Sequence, residues 1–595
     1  MTAAATHTTR QNGDGNPARA TTWLVIFGLV ALLPYAFLAY LSQRFVFGEG
    51  HTERPIVQVV MLLSAAWMAW VAACYVVQRH VPPADSKNTW IQRELWPLMV
   101  VLMLAGLYRL ILVPTRPIQE ADLYRYLWDG RLVLAGINPY RYTPAEIAEH
   151  LTVAYERQQR GLAVQLEHDY QRLAEILSEH FVHNRRLFWL ALAHHGGMPT
   201  TYPPLAQVVF AVAVWFCPDT STIEERTTVL KAVLVLFDVA TLLTLLLILN
   251  EMRLPLCWSV VYAWCPLVLK EVANSGHVDS VAVFFCVWAW WCGLRQRWGW
   301  AGLAWALAVL TKAYPLALLP ILLAWMGTTG GRSAYWRFFG VAVPVLVGAI
   351  AWALPSPTSR TPFTGLTIFL TQWEMNDAIF HWTRRGLEWL LPTDWREWIT
   401  RWSYWPRCPP DTPEELAHRT AWTALGGGLL AGELRRFALV PVSPAFVLAY
   451  SVHALVYLGL VGWLVRRTLR QLRPTTDPRT QSASLENQSH WFATTFTALA
   501  WLFLLLPTGN PWYFLWALPW LIWARQTAWY LLPGLLAQYY LYFWFFYHYP
   551  EGGTDVLGTG WPGYRFFHEV WVWIEYAPFF AGWLIEMWYR KKHTS

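Results

Sequence analysis

The sequence predicts an all-α fold, a polytopic bundle of membrane helices, and three observations carry that prediction. Of 595 residues, 55% are apolar and only 14% charged, where a soluble domain carries about 25% charged residues. The apolar residues come in long blocks opening at Thr22, Ile56, Leu95, Val229 and Leu439. Several blocks reach the roughly 20 residues that cross a hydrocarbon core as helix. Trp (41) and Tyr (27) are abundant, many of them near the block ends, as aromatic belts at the two membrane interfaces require. Sugar stacking is left open for a few of these rings.

The net charge of +7 does not imply a nucleic-acid partner, because the basic residues are scattered over loops between apolar blocks. The cysteines lie mostly inside apolar blocks (Cys74, Cys257, Cys265, Cys286, Cys292), with neither metal-ligand spacing nor a secreted disulfide framework. Residues 1–20 are polar and read as a disordered tail. No small-residue cleavage site follows the block at Thr22, which therefore reads as a retained helix.

In order, the blocks predict spans near 22–42, 56–78, 95–113, 229–250, 255–269, 279–294, 299–311, 314–327, 338–354, 440–464, 491–507, 512–524, 528–547 and 566–587, about 13 or 14 crossings in all. Those shorter than a full crossing require ends buried in protein or lining a wet cavity. The block 203–217 is also short. It reads as re-entrant or interfacial; if it spans, everything after it inverts.

Charge chooses between these arrangements. With 203–217 left out, one set of short loops holds Arg79, Lys87, Arg93, Arg253, Arg295, Arg297, Arg332, Arg337, Arg466, Arg467, Arg470, Arg473, Arg525, Arg590, Lys591 and Lys592, whereas the opposite set holds Arg44, Arg54, Lys270, Lys312 and Arg565. The bias satisfies the positive-inside rule with both termini cytoplasmic. Two long polar stretches, 114–228 and 355–438, then face outward. The chain divides into a tail (1–20), two N-terminal transmembrane helices (21–94), a transmembrane module with the first outward loop (95–354), the second outward loop (355–438), C-terminal helices (439–589) and a cytoplasmic tail (590–595).

Ionisable residues collect at span boundaries on the outward side. After the third span comes Glu120-Ala-Asp122-Leu-Tyr124-Arg125-Tyr126-Leu-Trp128-Asp129-Gly130-Arg131. On a helix, Asp122, Arg125, Tyr126 and Asp129 share one face. They form either an ordinary interfacial ion-pair cluster or a general base beside a phosphate-binding Arg. Glu271, Asn274, His277 and Asp279 bracket a Gly turn, and Asp279 is equally well read as the N-cap of the next helix. Lys312, between two short apolar blocks, is costly at depth and marks a site. Gln372-Trp373-Glu374-Met-Asn376-Asp377 is a fourth candidate.

This order of features resembles the GT-C glycosyltransferases, polytopic enzymes that take a sugar from a polyprenyl-phosphate carrier on the outer side of the membrane. Asp122…Tyr124-Arg125-Tyr126…Trp128-Asp129-Gly130…Gly136…Asn138-Pro139-Tyr140 and Tyr202-Pro203-Pro204-Leu205 resemble the first outward loop of bacterial polyprenyl-phosphate-mannose-dependent mannosyltransferases. Ser275-Gly276-His277-Val-Asp279, Thr311-Lys312-Ala-Tyr314-Pro315, Trp373-Glu374-Met-Asn376 and Pro511-Trp512-Tyr513 extend it, over roughly residues 95–525. The resemblance implies Asp122 as catalytic carboxylate; Arg125, Lys312 and Arg131 neutralising the departing lipid phosphate; and Asp129, Tyr202, His277, Asp279 and Asn376 shaping the substrate site.

It also implies a polyprenyl-phosphate sugar donor, a glycan, lipid or protein acceptor, surrounding membrane lipid, no nucleic acid, and a bacterial inner membrane. It implies no definite cofactor. A divalent metal (Mg²⁺ or Mn²⁺), held by Asp122, Asp279 and His277, is left open. Three departures stand out: a charged insertion over about 150–195, Gly509-Asn510 where a His is expected before Pro511-Trp512, and two extra N-terminal helices. The alternatives are a transporter or flippase for a lipid-linked or polar solute, and a carrier-dependent glycan polymerase or ligase.

Overall fold

A computed structural model describes residues 17–81, 90–163, 166–178, 182–354, 365–366, 369–370, 373–392, 444–472, 481–524 and 526–594. Most of the expected second outward loop, including Gln372, lies outside the described residues. Among the described residues the fold is all-α with no β-strand, the one exception to helix and loop being an isolated bridge between Met375 and Thr508. Six helices are long and apolar enough to cross a membrane, or seven if the bent pair over 256–274 is one span.

The first three helices, α1 (Pro17–Ser42), α2 (Ile56–His80) and α3 (Trp90–Leu112), pack together at the N-terminus. Helix α1 therefore begins five residues before the apolar block that predicts it. Gly28 lets α3 approach closely: a Cβ there would lie 2.2 Å from Leu104 Cδ1, and Tyr108 donates to the Gly28 carbonyl at 2.7 Å. Such small residues matter between membrane helices, where packing rather than water exclusion drives association.

Four helices follow α3: the largely buried α4 (Asp122–Leu134), then α5 (Pro144–Gln159), α6 (His168–Ile176) and α7 (Val182–Ala193). Then come α8 (Pro204–Trp215) and the long α9 (Ile223–Glu251). Thr143 and Thr222 open α5 and α9 with reciprocal capping boxes to Glu146 and Glu225. The chain leaves α3 and re-enters α9 on the same face of the bundle. Arg116, just past α3, pairs with Glu224 at 3.6 Å, and Ile118 donates to Asn274 Oδ1 at 3.0 Å. This is the arrangement expected with the short block 203–217 left out of the crossings. At 12 residues and 1.5 Å per residue, α8 is about 18 Å long, too short for a hydrocarbon core of about 30 Å.

Helix α8 instead lies against α4, with Gly130 at the crossing. A Cβ at Gly130 would meet the Phe210 carbonyl carbon and oxygen at 2.6 Å. Gly130→Ala forces the two helices apart and is expected to cost about 1–3 kcal/mol, as overpacking does. The check is a thermal unfolding curve in detergent; an unchanged midpoint would contradict the close approach.

Inside the bundle, Arg109 of α3 and Asp238 of α9 form a buried two-point ion pair (2.5 and 3.2 Å). Arg109 also donates to the carbonyls of Ala105 and Ala263, both at 2.9 Å. The segment 256–274 is bent by 51°. Its break falls before Pro266, which opens the second piece without an N–H to donate. That piece ends in a π-helical turn over Leu269–Asn274, and π-turns inside helices often mark functional positions.

Helices α10 (Asp279–Leu294), α11 (Trp298–Val309), α12 (Leu319–Thr329) and α13 (Gly331–Ala353) follow, then α14 (Ile379–Leu390), α15 (Pro444–Gln471) and α16 (Gln481–Leu505). The expected spans 512–524 and 528–547 are not continuous helices. They are short 3₁₀ and α pieces punctuated by Pro511, Pro519 and Pro533, and mostly buried as far as Tyr540. Irregular backbone at membrane depth is tolerated only under such protein cover. Helix α17 (Val572–Thr594) runs on through the stretch expected to be a C-terminal tail.

Some of the tryptophans serve the interior instead of an interface belt. Trp70, Trp128, Trp264, Trp290, Trp325, Trp491, Trp520 and Trp529 are fully buried rather than at an interface. Short and broken helices leave wide spaces that indoles fill, and their N–H groups need partners there. Trp264 donates to the Val101 carbonyl at 2.8 Å, and Trp290 to Thr495 Oγ1 at 3.0 Å.

Candidate active site

The loops that join α3 to α4, the bent segment to α10, and α11 to α12 meet on one face of the bundle, and there the chemistry-bearing residues gather. The approach to Asp122 is built by its neighbours. Gln119 takes a left-handed backbone (φ 55°) and is held by Arg54 (2.8 Å) and Tyr547 (2.6 Å). Glu120 then turns back: its Oε1 accepts the amides of Ala121 (2.7 Å) and Asp122 (2.8 Å). Glu120 thus serves two helix-start donors in place of the N-cap residue, Ala121, whose side chain has no acceptor.

The Asp122 carboxylate is held by three donors. His194 Nε2 lies 2.8 Å from Oδ1, while the hydroxyls of Tyr202 (3.1 Å) and Tyr126 (3.4 Å) reach Oδ2. The Tyr126 ring stacks on Phe210 (4.5 Å between centroids) and meets Tyr202 edge-on (4.8 Å), so both hydroxyls stand on a rigid aromatic floor. About a quarter of the Asp122 side chain (26%) stays exposed, so it is reachable from the site face. Burial pushes its carboxyl up, but the bond and charge of His194, with the charges of His277 and His195, outweigh that and hold it below the ordinary value.

Facing it is the turn after the bent segment. Gly276 adopts φ 76°, and a Cβ there would press on Lys231 at 3.0 Å. His277 stacks on Trp512 at 4.0 Å, with Nε2 3.2 Å from Glu120 and 3.3 Å from Glu271. Burial alone would push this imidazole down, but the two carboxylates win and raise it to about 10. It is therefore an imidazolium at neutral pH. Glu120 thus links the His277 cation to the backbone amide that starts the Asp122 helix.

Asp279 is not the N-cap that its position suggests. The cap residue is Val278 and no side chain caps the helix. Instead Asp279 accepts from Lys312 Nζ (3.0 Å) and Trp516 Nε1 (2.7 Å). Lys312 lies over the Tyr513 ring (4.6 Å), and Tyr314 stacks on Trp516 at 4.2 Å. Asp279 is fully buried, Lys312 is not (17% exposed), and Lys312 lies within reach of the Asp122 charge. Asp122, Tyr202, His277, Asp279 and Lys312 thus belong to one site.

The other sequence candidates are differently engaged. Arg125 bonds Asp129 (2.8 Å) and the Met198 carbonyl (2.9 Å) and is buried. Asp129 also receives Gln207 at 3.5 Å. Arg131, nine positions along α4 and so on the opposite face from Asp122, pairs with Asp219 at 3.0 Å. Asn376 donates to Gly509 O and Glu575, both at 3.1 Å, while the Met375 amide donates to the Pro507 carbonyl (3.0 Å) and the Gly509 amide to the Met375 carbonyl (2.7 Å). These four residues hold the loops that frame the site.

The donor set does not fit a divalent cation. Asp279 is neutralised by Lys312, His277 is a cation between two carboxylates, and Asp122 is taken up by His194 and two tyrosines. Among the described residues no group of three or more His, Cys, Asp or Glu is placed to hold a metal.

Sequence reasoning missed His194, His195 and the bridging role of Glu120. The only trace of the histidines is a His-His pair before Gly-Gly at the end of the insertion, a signal too common to single them out. The insertion itself folds as α5–α7 around a small second core of Ile147, Tyr170, Leu173 and Phe188 against Trp128 and Leu132 of α4.

With this geometry in view, the comparison with known families is specific. Residues 201–385 match the model of glycosyltransferase family 87. The match indicates a glycosyltransferase, with a sugar donor and an acceptor, and agrees with the resemblance to GT-C enzymes. It begins beside Tyr202 and takes in His277, Asp279, Lys312 and Asn376, whereas Asp122 lies outside the matched residues. No curated protein and no solved structure matches the chain. Six helices long and apolar enough to cross a membrane, together with the family-87 match, indicate an integral membrane protein.

Proposed function

We propose that the protein moves a sugar, mannose, from a polyprenyl-phosphate carrier to an acceptor hydroxyl at the outer face of a bacterial inner membrane, with inversion. The reading rests on one observation above all: a partly exposed carboxylate, Asp122, shares a site with a partly exposed ammonium, Lys312, where helices emerge from the bundle. In the reaction the acceptor oxygen bonds to the anomeric carbon as the bond from that carbon to the phosphate oxygen breaks. Asp122 takes the acceptor proton. Lys312 neutralises the charge that builds on the leaving phosphate. Arg125 and Arg131, engaged by Asp129 and Asp219, support the walls instead.

Asp122 is a weaker base than a free carboxylate, so proton transfer comes late. The acceptor hydroxyl becomes acidic only as its oxygen bonds to the electron-poor anomeric carbon, and the carboxylate needs to be ionised and in place at that moment. The direct test is purified protein in lipid with radiolabelled polyprenyl-phosphate sugars, following release of sugar from the carrier. Consumption of the mannosyl carrier above other sugars supports the reading. No consumption of any carrier sugar sinks it.

Lys312→Met keeps the aliphatic stem but removes the cation. It is expected to lower kcat by about 10²–10³-fold, the scale of one charge-stabilising donor. It also leaves Asp279 buried opposite Trp516 alone, so a melting curve accompanies the assay. A variant that melts like wild type and turns over at the wild-type rate would remove Lys312 from the mechanism.

A further inference from the structure

We propose that His194, delivered by the inserted helices, is a positioning residue that aims the Asp122 carboxylate at the acceptor; this rests on reading Asp122 as the base. An ionised carboxylate only accepts, so the 2.8 Å contact requires His194 Nε2–H to donate to Oδ1. A carboxylate offers about four lone-pair directions. His194, Tyr202 and Tyr126 occupy three of them, which leaves one for an acceptor hydroxyl.

The tyrosines both act on Oδ2, from α4 itself and from the loop before α8. Only His194 holds Oδ1 among these three, and it comes from a separate unit. Without it the carboxylate is held through Oδ2 alone, and the direction of Oδ1 is no longer fixed from this side.

The surrounding backbone is shaped for this delivery. Helix α7 ends at Ala193, and His194 still bonds back to the Leu190 carbonyl at 3.2 Å. His195 then takes a left-handed conformation (φ 57°), a turn that Met198 closes by donating to the His195 carbonyl at 3.0 Å. The Met198 carbonyl is in turn fixed by Arg125 of α4. On the far side of α4, Trp128 and Leu132 pack into the core of α5–α7. The insertion is thus bound to the Asp122 helix at both ends, and its place in the chain is explained by the histidine it presents.

The experiment uses the full chain in lipid with the radiolabelled mannosyl carrier, comparing wild type, Asp122→Asn, His194→Ala and His194→Gln. A misaimed base costs up to about 10²-fold. His194→Ala is expected to lower kcat by about 10–100-fold with the donor KM changed less than about twofold. His194→Gln, whose amide N–H reaches the place of Nε2–H, is expected to recover most of the rate. Melting curves establish that each variant is folded.

The proposal is overturned if folded His194→Ala keeps the wild-type kcat, if its loss is wholly in KM, or if Gln is no better than Ala. Wild-type inactivity, or full activity of Asp122→Asn, instead overturns the base reading, and this inference with it.

Discussion

Asp122→Asn is expected to reduce sugar release by about 10²–10⁴-fold, the range over which a positioned general base acts. The amide keeps the size of the carboxylate and one accepting oxygen, so the contacts with His194, Tyr202 and Tyr126 are largely preserved and the fold survives. What is lost is the capacity to take a proton. Release of label from the carrier, measured beside a melting curve, separates the two effects. A folded Asp122→Asn protein at full rate would move the base elsewhere, to Asp279 first.

The acid limb of the pH profile follows from the same environment. Because the folded-state pKa is depressed, Asp122 stays ionised as pH falls from 7 through the ordinary carboxylate value near 4. Its base function is lost only below that. Activity falling with a midpoint near pH 6 would point to a histidine instead.

The second large effect concerns the bundle rather than the chemistry. Asp238→Ala leaves the Arg109 guanidinium buried between α3, α9 and the bent segment with its counter-ion gone. Breaking one partner of such a pair costs about 3–5 kcal/mol, because an uncompensated charge remains. A strongly lowered melting temperature is expected. The double variant Asp238→Ala with Arg109→Met, which removes both charges, should recover much of the loss. A single variant as stable as wild type would show that Arg109 finds other partners at no cost.

Much of this protein could be read from its residues one after another. The apolar blocks gave α1, α2, α3, α9, α13 and α15 with ends off by up to about seven residues, because a helix that spans lipid must carry its hydrophobicity in one contiguous stretch, whereas its polar ends carry no such signal. Charge in the short loops favoured leaving 203–217 out of the membrane, and the Arg116–Glu224 pair agrees. The broken elements after Pro511 were harder. Their burial comes from neighbours, and an apolar run reads alike whether it is one helix or several pieces.

The site shows the same division residue by residue. Helical spacing placed Arg125 beside both Asp122 and Asp129, but spacing cannot say which carboxylate a guanidinium serves; burial assigned it to Asp129. Asp279 sat where an N-cap belongs, and only the loop carrying Lys312 turned it into half of an ion pair. His194 lies 72 positions from Asp122, with nothing local to connect them.

What the sequence alone determined was the all-α membrane architecture and the collection of ionisable residues at the ends of apolar blocks. These depend on composition and period, which act over one helix at a time. The tertiary structure alone decided which charges meet: His194 with Asp122, Lys312 with Asp279, and His277 between Glu120 and Glu271. A pair formed across distant elements depends on how helices pack, and packing is a property of the whole chain.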